Sequence, residues 1–343
     1  MSAVPTAGHA ELAARLESAI APGEFSGVVH VTAADELVFA AGYGLADRER
    51  GTANTVDTRF GTASATKLVT ALGVGVLVDD GLLTLSTRLT DVLSVPLPGM
   101  DPAVTIGQLL SHTSGVFDYL DEDLIADIDQ FQLPIPPAAL LRPSDYLPML
   151  IGPQKFPPGA RFSYSNGGYV LLGLLIEELT GSFHDHLERR VLRPCGMDRS
   201  GFFRFDELPP GTAIGYLDNG GTNAATLPIV GGPDGGMFAT AADLQRLWRG
   251  FLAGEVISAA LITAYTTAVA RYRENISYGH GLWLRDNGDR PPVLFIEGYD
   301  AGVSIRSSVH PPMTVVTVVS NSTKGAWPVD RAVNAVVRDY AAH

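Results

Sequence analysis

Apolar positions along the chain follow two periods. Near the start, Gly27 to Thr32 and Leu37 to Tyr43 are short β-like runs separated by the turn-rich Ala33-Ala34-Asp35-Glu36, a pattern that predicts a hairpin. After the polar segment Asp47 to Thr58, the stretch Ser64 to Asp80 carries alanines, leucines and valines at helical spacing and stops at Gly81, a good C-cap. That spacing predicts a buried helix. A second buried helix is predicted over Gly167 to Leu179, closing at Thr180-Gly181, and a third from about Ser182 to Val191. Prolines crowd the stretch from Asp91 to Gly159, which favours ordered loops and short helices. From Tyr278 onward the chain turns β-rich again, with candidate strands Gly281 to Arg285, Pro292 to Glu297, Gly302 to Val309 and Thr314 to Ser320. An amphipathic helix near Val329 to Tyr340 ends the pattern.

With β segments at both ends and helices between, the economical solution is an α/β (α+β) protein whose one sheet is built from both chain termini. End helices flank that sheet. The expected organisation is one unit, 1–343, with an α/β lobe from about 1–60 and 275–343 and a mostly helical lobe from about 61–274.

Composition narrows the function. The 343 residues hold 24 Lys plus Arg against 37 Asp plus Glu, a formal charge of −13, which disfavours a nucleic-acid partner. The longest nearly uncharged apolar stretch, Leu68 to Val78, ends at Asp79-Asp80 and is far short of the roughly 20 residues a membrane span needs. The first nineteen residues lack the basic and apolar regions of a secretory signal and look like an amphipathic helix. A cytoplasmic location is the expectation. The lone cysteine, Cys195, allows no intrachain disulfide and reads as a packed thiol after a helix.

Several catalytic signatures are missing. Gly302-Val303-Ser304 begins a Gly-x-Ser-x-Gly elbow, but Arg306 occupies its closing position. There is no Gly-x-Gly-x-x-Gly, Walker loop or His-Glu-x-x-His. His184 and His186, two apart on a helix, face different sides and read as solvent-facing side chains, not metal ligands. What does stand out is Ser64-Ala-Thr-Lys67 at the start of a buried helix. Residues i and i+3 share a helix face, so Lys67 can reach the Ser64 hydroxyl. A lysine among Leu68, Val69, Ala71, Leu72 and Val74 loses charge stabilisation, and its pKa falls toward that of a usable base.

One hundred residues later comes Tyr164-Ser-Asn166 ahead of another buried helix. Together with Ser64-x-x-Lys67 it resembles the serine β-lactamase and penicillin-binding-protein superfamily, nearest its class C branch of esterases, D-aminopeptidases, amidases and D,D-peptidases. Leu109-Leu-Ser-His112-Thr-Ser-Gly115, Gly231-Gly-Pro-Asp-Gly-Gly236 and Tyr278-Gly-His-Gly-Leu-Trp283 are similar to further family segments, in the family's order. The resemblance implies the β-lactamase/transpeptidase-like fold, with an antiparallel sheet and no metal or organic cofactor. It implies Ser64 as the acylated nucleophile, Lys67 as its proton partner, Tyr164 as the base relaying protons to the leaving group, and Asn166 as the group orienting lysine and substrate. His112 falls on a structural loop.

The family's third motif, Lys-Thr-Gly or His-x-Gly, aligns with Ile296-Glu297-Gly298, where the cation is missing. Gly298 is kept, so an oxyanion hole from the N–H groups of Ser64 and Tyr299 survives. A substrate carboxylate would meet no cation there, which predicts poor β-lactam turnover. Glu297 either pairs with a substrate amine or points to solvent from a strand edge, and Lys324 or His280 are alternative sources of positive charge. Phe131, Tyr146 and Phe156 in the proline-rich segment are candidate pocket residues. The leading function is therefore hydrolysis of an ester or amide of a small molecule through an acyl-Ser64 intermediate. The alternatives are acyl transfer through the same intermediate and a ligand-binding homologue without turnover; oligomeric state stays open.

Overall fold

The computed structural model describes residues 7–20 and 25–340. Helix α1 (Ala7–Ala19) realises the described part of the predicted N-terminal helix; residues 1–6 lie outside the described residues. The predicted hairpin forms as β1 (Gly27–Ala33) and β2 (Glu36–Tyr43), followed by short strands β3 (Leu45–Asp47), β4 (Thr52–Ala53) and β5 (Arg59–Gly61). The central part holds α2 (Thr66–Asp79), α3 (Ile106–Leu110), α4 (Asn166–Thr180) and α5 (Phe183–Leu187). Then come β6 (Phe238–Thr240), α6 (Ala241–Ala253), α7 (Ala259–Tyr265), β7 (Ala270–Arg273), β8 (Ile276–Tyr278), β9 (Trp283–Arg285), β10 (Val293–Asp300), β11 (Val303–His310), β12 (Thr314–Ser320) and α8 (Ala326–Tyr340).

Both chain ends build one antiparallel sheet, in the order β2-β1-β12-β11-β10-β9-β8-β7. The two ends of the chain meet in the pairing of β1 with β12, from Gly27 opposite Ser320 to Ala33 opposite Thr314. Side chains alternate across it as a two-residue period requires. Val29, Val31, Val316 and Val318 pack with Leu12 and Leu16 of α1 and Val333 and Val337 of α8, while Val28 and Val319 join the core of the helical region on the other face. Burying valine, leucine and isoleucine side chains on both faces contributes about 1.5–3 kcal/mol each, which holds the central strands as the rigid floor of the cleft.

Three details differ from the sequence reading. The sheet reaches back to Ala270, and α6, placed by sequence in the helical lobe, lies on the sheet: Gln245 Nε2 donates to His30 O and Thr317 Oγ1, and Trp248 Nε1 donates to Ser307 Oγ. The helix after Ser64 starts at Thr66, because residues Ala63–Ala65 form a separate 3-10 turn. The third helix changes to a π turn over Glu188–Leu192. The proline-rich stretch is a chain of short 3-10 turns, as expected. Cys195 is buried, and that burial raises its thiol pKa to about 12. Among the described residues no helix is long and apolar enough to cross a membrane.

Candidate active site

Ser64 is set by a strained turn. Ala63 has φ +42, a left-handed conformation uncommon for a residue with a side chain. The turn is pinned from several directions. Thr62 N donates to Met237 O at 2.8 Å, Thr62 Oγ1 donates to the same carbonyl at 2.8 Å, and Thr66 Oγ1 donates to Ala63 O at 2.7 Å. Strand β10 lies directly alongside. A Cβ on Gly298 would come within 2.2 Å of Thr62 O and 3.0 Å of Ala63 Cβ. The glycine is therefore needed for close packing of β10 against the turn before Ser64.

Lys67, on the first turn of α2, is 1% exposed. Its Nζ lies 2.8 Å from Ser64 Oγ, 2.7 Å from Asn166 Oδ1 and 2.6 Å from the Asp234 carbonyl oxygen. Desolvation lowers its pKa, even though Asp234, Glu122, Asp118 and Asp300 all favour its charge. Asn166 starts α4, which Ser165 caps by accepting from Gly168 N at 3.0 Å. The two free N–H groups at this helix start, from Asn166 and Gly167, donate to the buried Asp118 carboxylate at 2.8 Å each. The Asn166 amide nitrogen donates to Leu120 O at 2.8 Å and Glu122 Oε1 at 3.2 Å. Its amide is thus committed to protein partners, and Asn166 orients Lys67 without a spare donor for a ligand.

Tyr164 stands one residue before the cap. Burial raises its phenol well above 10, with the Ser64 hydroxyl as the one neighbour favouring the phenolate. The neutral phenol is thus the favoured resting form of the side chain. Its ring lies 4.9 Å from Lys67 Nζ and stacks on Trp283 at 6.0 Å. Behind it, His112 is buried against Tyr164, Tyr169 and Tyr278 and accepts from Ser165 N at 3.1 Å. Desolvation lowers its pKa well below 6.5. It is a neutral structural group.

Two cavities meet at Ser64. The inner one is walled by Phe131, Tyr146, Phe205, Asn223 and Asp300 among others. The outer, roomier one is walled by Tyr164, Trp283, Glu297, Arg306 and Trp327. Ser64, Glu122 and Tyr299 line both. Phe131 and Tyr146 are thus where sequence placed them, whereas Phe156 lies outside both walls and packs under the Arg161 guanidinium at 4.3 Å.

Glu297 does not stand at a strand edge. β10 is an interior strand, and Glu297 sits opposite Arg306 of β11 and binds its guanidinium through Oε2. Arg306 also donates to Asp330 Oδ2 at 2.9 Å. Ile296 is buried in the core. Lys324 is paired with Asp218 at 2.8 Å, and His280 bonds the Ala264 carbonyl at 3.1 Å, so neither replaces the missing cation. The cation nearest that motif is Arg306, which sequence inspection missed because it lies on the next strand. The histidine pair also differs from expectation: His186 is buried against Gly73 O and His184 bonds Gly231 O, so neither simply faces solvent.

Comparison with known families places this chain. The beta-lactamase family model aligns with residues 13–339. The chain belongs to the beta-lactamase family. Its relatives include "Penicillin-binding protein 4" of Amycolatopsis lactamdurans, 32% identical over 310 residues, 80% of this chain and 76% of that protein. Another is "Esterase EstB" of Burkholderia gladioli, 35% identical over 223 residues, 61% of this chain and 56% of that one. The solved penicillin-binding protein from Bacillus halodurans superposes with a TM-score of 0.87 at 36% identity, covering 95% of this chain and 99% of that one. In this beta-lactamase-family chain Ser64 Oγ, Asn166 Oδ1 and the Tyr164 ring all lie around Lys67 Nζ.

Proposed function

We propose that this protein is a serine hydrolase that cleaves an ester or amide of a small molecule through a covalent acyl-Ser64 intermediate. The observation that carries the reading is the hydrogen-bonding state of Lys67. Two of its three partners, the Asn166 side-chain oxygen and the Asp234 carbonyl, can only accept. An ammonium donates to all three; after losing one proton, which burial favours, the amine keeps both acceptor-only partners with its two N–H groups and turns its lone pair to the Ser64 hydroxyl.

In the acylation step Ser64 Oγ bonds the substrate carbonyl carbon and its proton passes to Lys67 Nζ. The oxyanion is held by the backbone N–H groups of Ser64 and Tyr299. As the bond to the leaving group breaks, Tyr164 gives that group its phenol proton and recovers one from Lys67. Water then attacks the acyl carbon, the ester bond to Ser64 breaks, and its proton returns the serine to the hydroxyl form. Tyr164 lines only the outer cavity and Asn166 only the inner one. The leaving group therefore occupies the outer cavity and the acyl group the inner.

Intact-protein mass spectrometry tests this. Within seconds of mixing with a p-nitrophenyl ester, wild type should gain the acyl mass and then lose it, while Ser64→Ala gains nothing. No serine-dependent adduct and no nitrophenol release would overturn the reading in favour of a ligand-binding homologue.

A further inference from the structure

The residue that gives Lys67 its shortest hydrogen bond also carries a buried carboxylate. Asp234 lies in the turn over residues 231–236, and its carbonyl oxygen accepts from Lys67 Nζ at 2.6 Å, against 2.7 Å for Asn166 Oδ1. Three further bonds fix where that carbonyl stands. Thr70 Oγ1, one turn further along α2, donates to Pro233 O at 2.7 Å. Gly232 N donates to Gly235 O at 2.8 Å across the turn, and Tyr119 Oη donates to Asp234 Oδ2 at 2.6 Å. The turn has no slack, since a Cβ on Gly232 would lie 2.8 Å from Tyr146 Oη and 3.2 Å from Asp234 Oδ1.

Asp234 is 6% exposed, and among the described residues Tyr119 is the one side chain that donates to its carboxylate. A buried carboxylate calls for an opposite charge in range. Lys67, already hydrogen-bonded to the same residue's backbone, is that charge, and each of the two is the foremost charge acting on the other. Other groups face the lysine as well. The segment after α3 brings His112, Asp118 and Glu122, the start of α4 brings Tyr164 and Tyr169, and the end of β10 brings Asp300. Burial keeps the histidine and both phenols neutral at neutral pH. The three carboxyls are engaged elsewhere: Asp118 by Asn166 N and Gly167 N, Glu122 by the Asn166 amide, and Asp300 by Ala301 N. Of all these charged groups, Asp234 is the one that also touches Lys67 Nζ.

We propose that Asp234 is a positioning residue for acylation: seated by Tyr119, it aims its carbonyl at one Lys67 N–H, and its carboxylate charge sets how tightly the lysine holds its proton. Burial drives Lys67 toward the neutral amine, and the Asp234 charge opposes that drive. The proposal deepens the serine-hydrolase reading and rests on it for the reaction, in which Lys67 takes the Ser64 proton only after losing one of its own.

The chain contains three lysines, Lys67, Lys155 and Lys324, so the proton on Lys67 can be followed directly. With lysine labelled by carbon-13 at Cε, nuclear magnetic resonance gives three signals, and Lys67→Met identifies the one from the cleft. Asp234→Asn keeps an acceptor for Tyr119 and loses the charge, so the titration midpoint of that signal should fall by about one pH unit or more. The acid limb of kcat/KM for a p-nitrophenyl ester should move the same way. Asp234→Ala, smaller and equally uncharged, should give the same fall and serves if the asparagine variant does not fold. Thr70→Val, which frees Pro233 O and keeps the charge, should leave the midpoint in place. A midpoint unmoved by loss of the charge, or moved as far by Thr70→Val, overturns the role of Asp234 while acyl-serine turnover stands. Failure of the hydrolase reading shows separately, as the absence of a serine-linked adduct whatever the Lys67 midpoint does.

Discussion

Lys67 Nζ sits 2.8 Å from Ser64 Oγ while its other two partners are oxygens that only accept. The lysine thus donates to the serine hydroxyl in the resting site and is placed to take that hydroxyl's proton once it has lost one of its own, a loss that burial favours. Replacing Lys67 by Met, or Tyr164 by Phe, should slow acylation by a factor on the order of 100 or more. Stopped-flow release of nitrophenol, with cooperative melting as the check on folding, measures it; near-normal rates in either variant would remove that residue from the proton path.

Asp300 links the cavity to stability. Its folded pKa, about 7, is above the ordinary 3.8 because of desolvation. Below pH 3.8 both folded and unfolded states are protonated and no penalty arises. Between 3.8 and about 7 the unfolded chain ionises first, so the folded state loses stability as pH rises, and above about 7 the loss is constant. Asp300→Asn removes that term. Its melting temperature relative to wild type should therefore climb from pH 4 to about 7 and then level off. A difference independent of pH would mean that the carboxyl ionises normally in the folded protein.

Gly298 has no room for a methyl group, with Thr62 O at 2.2 Å from the Cβ position. Gly298→Ala should cost about 1–3 kcal/mol of stability by overpacking and lower activity further by pushing β10 away from Ser64. Chemical denaturation together with ester turnover tests both halves. Full activity in this variant would show that the strand moves without disturbing the site.

Glu297 neutralises Arg306 at the mouth of the outer cavity. Glu297→Gln should leave the guanidinium with Asp330 alone and improve kcat/KM for leaving groups that carry a carboxylate, relative to neutral ones, by roughly three- to tenfold at low salt. Steady-state comparison of a matched pair of esters reads this ratio. An unchanged ratio would place the leaving group away from Arg306.

The fold was legible wherever local periodicity and long-range pairing agree. The β1–β2 hairpin, α2, α4 and the strands from β9 onward follow hydrophobic spacing, and Ser64, Lys67 and Asn166 meet because short motifs sit at the starts of helices. What was not legible depends on cross-strand partners. Arg306 reaches Glu297 only through the register of β10 on β11, and Asn223 reaches Asp300 only through the Ala301 backbone. Asp300 carried a usable signal: two residues past Gly298, it had to share that residue's face. Asp118 and Asp234 carried none, since a single aspartate in a loop does not announce that it will cap α4 or accept from Tyr119.

The pairing of Gly27 with Ser320 has a kinetic consequence during synthesis on the ribosome. A hairpin made early, β1 with β2, waits with one long edge bare until β12 has emerged, because only β12 fills the other side of β1. Valine-rich and unpaired, that edge is the kind that joins to other chains. Folding of the sheet is consequently a late event, closed by the last strand to appear, and crowding of nascent chains should favour aggregation through β1 before any defect in the cleft is felt.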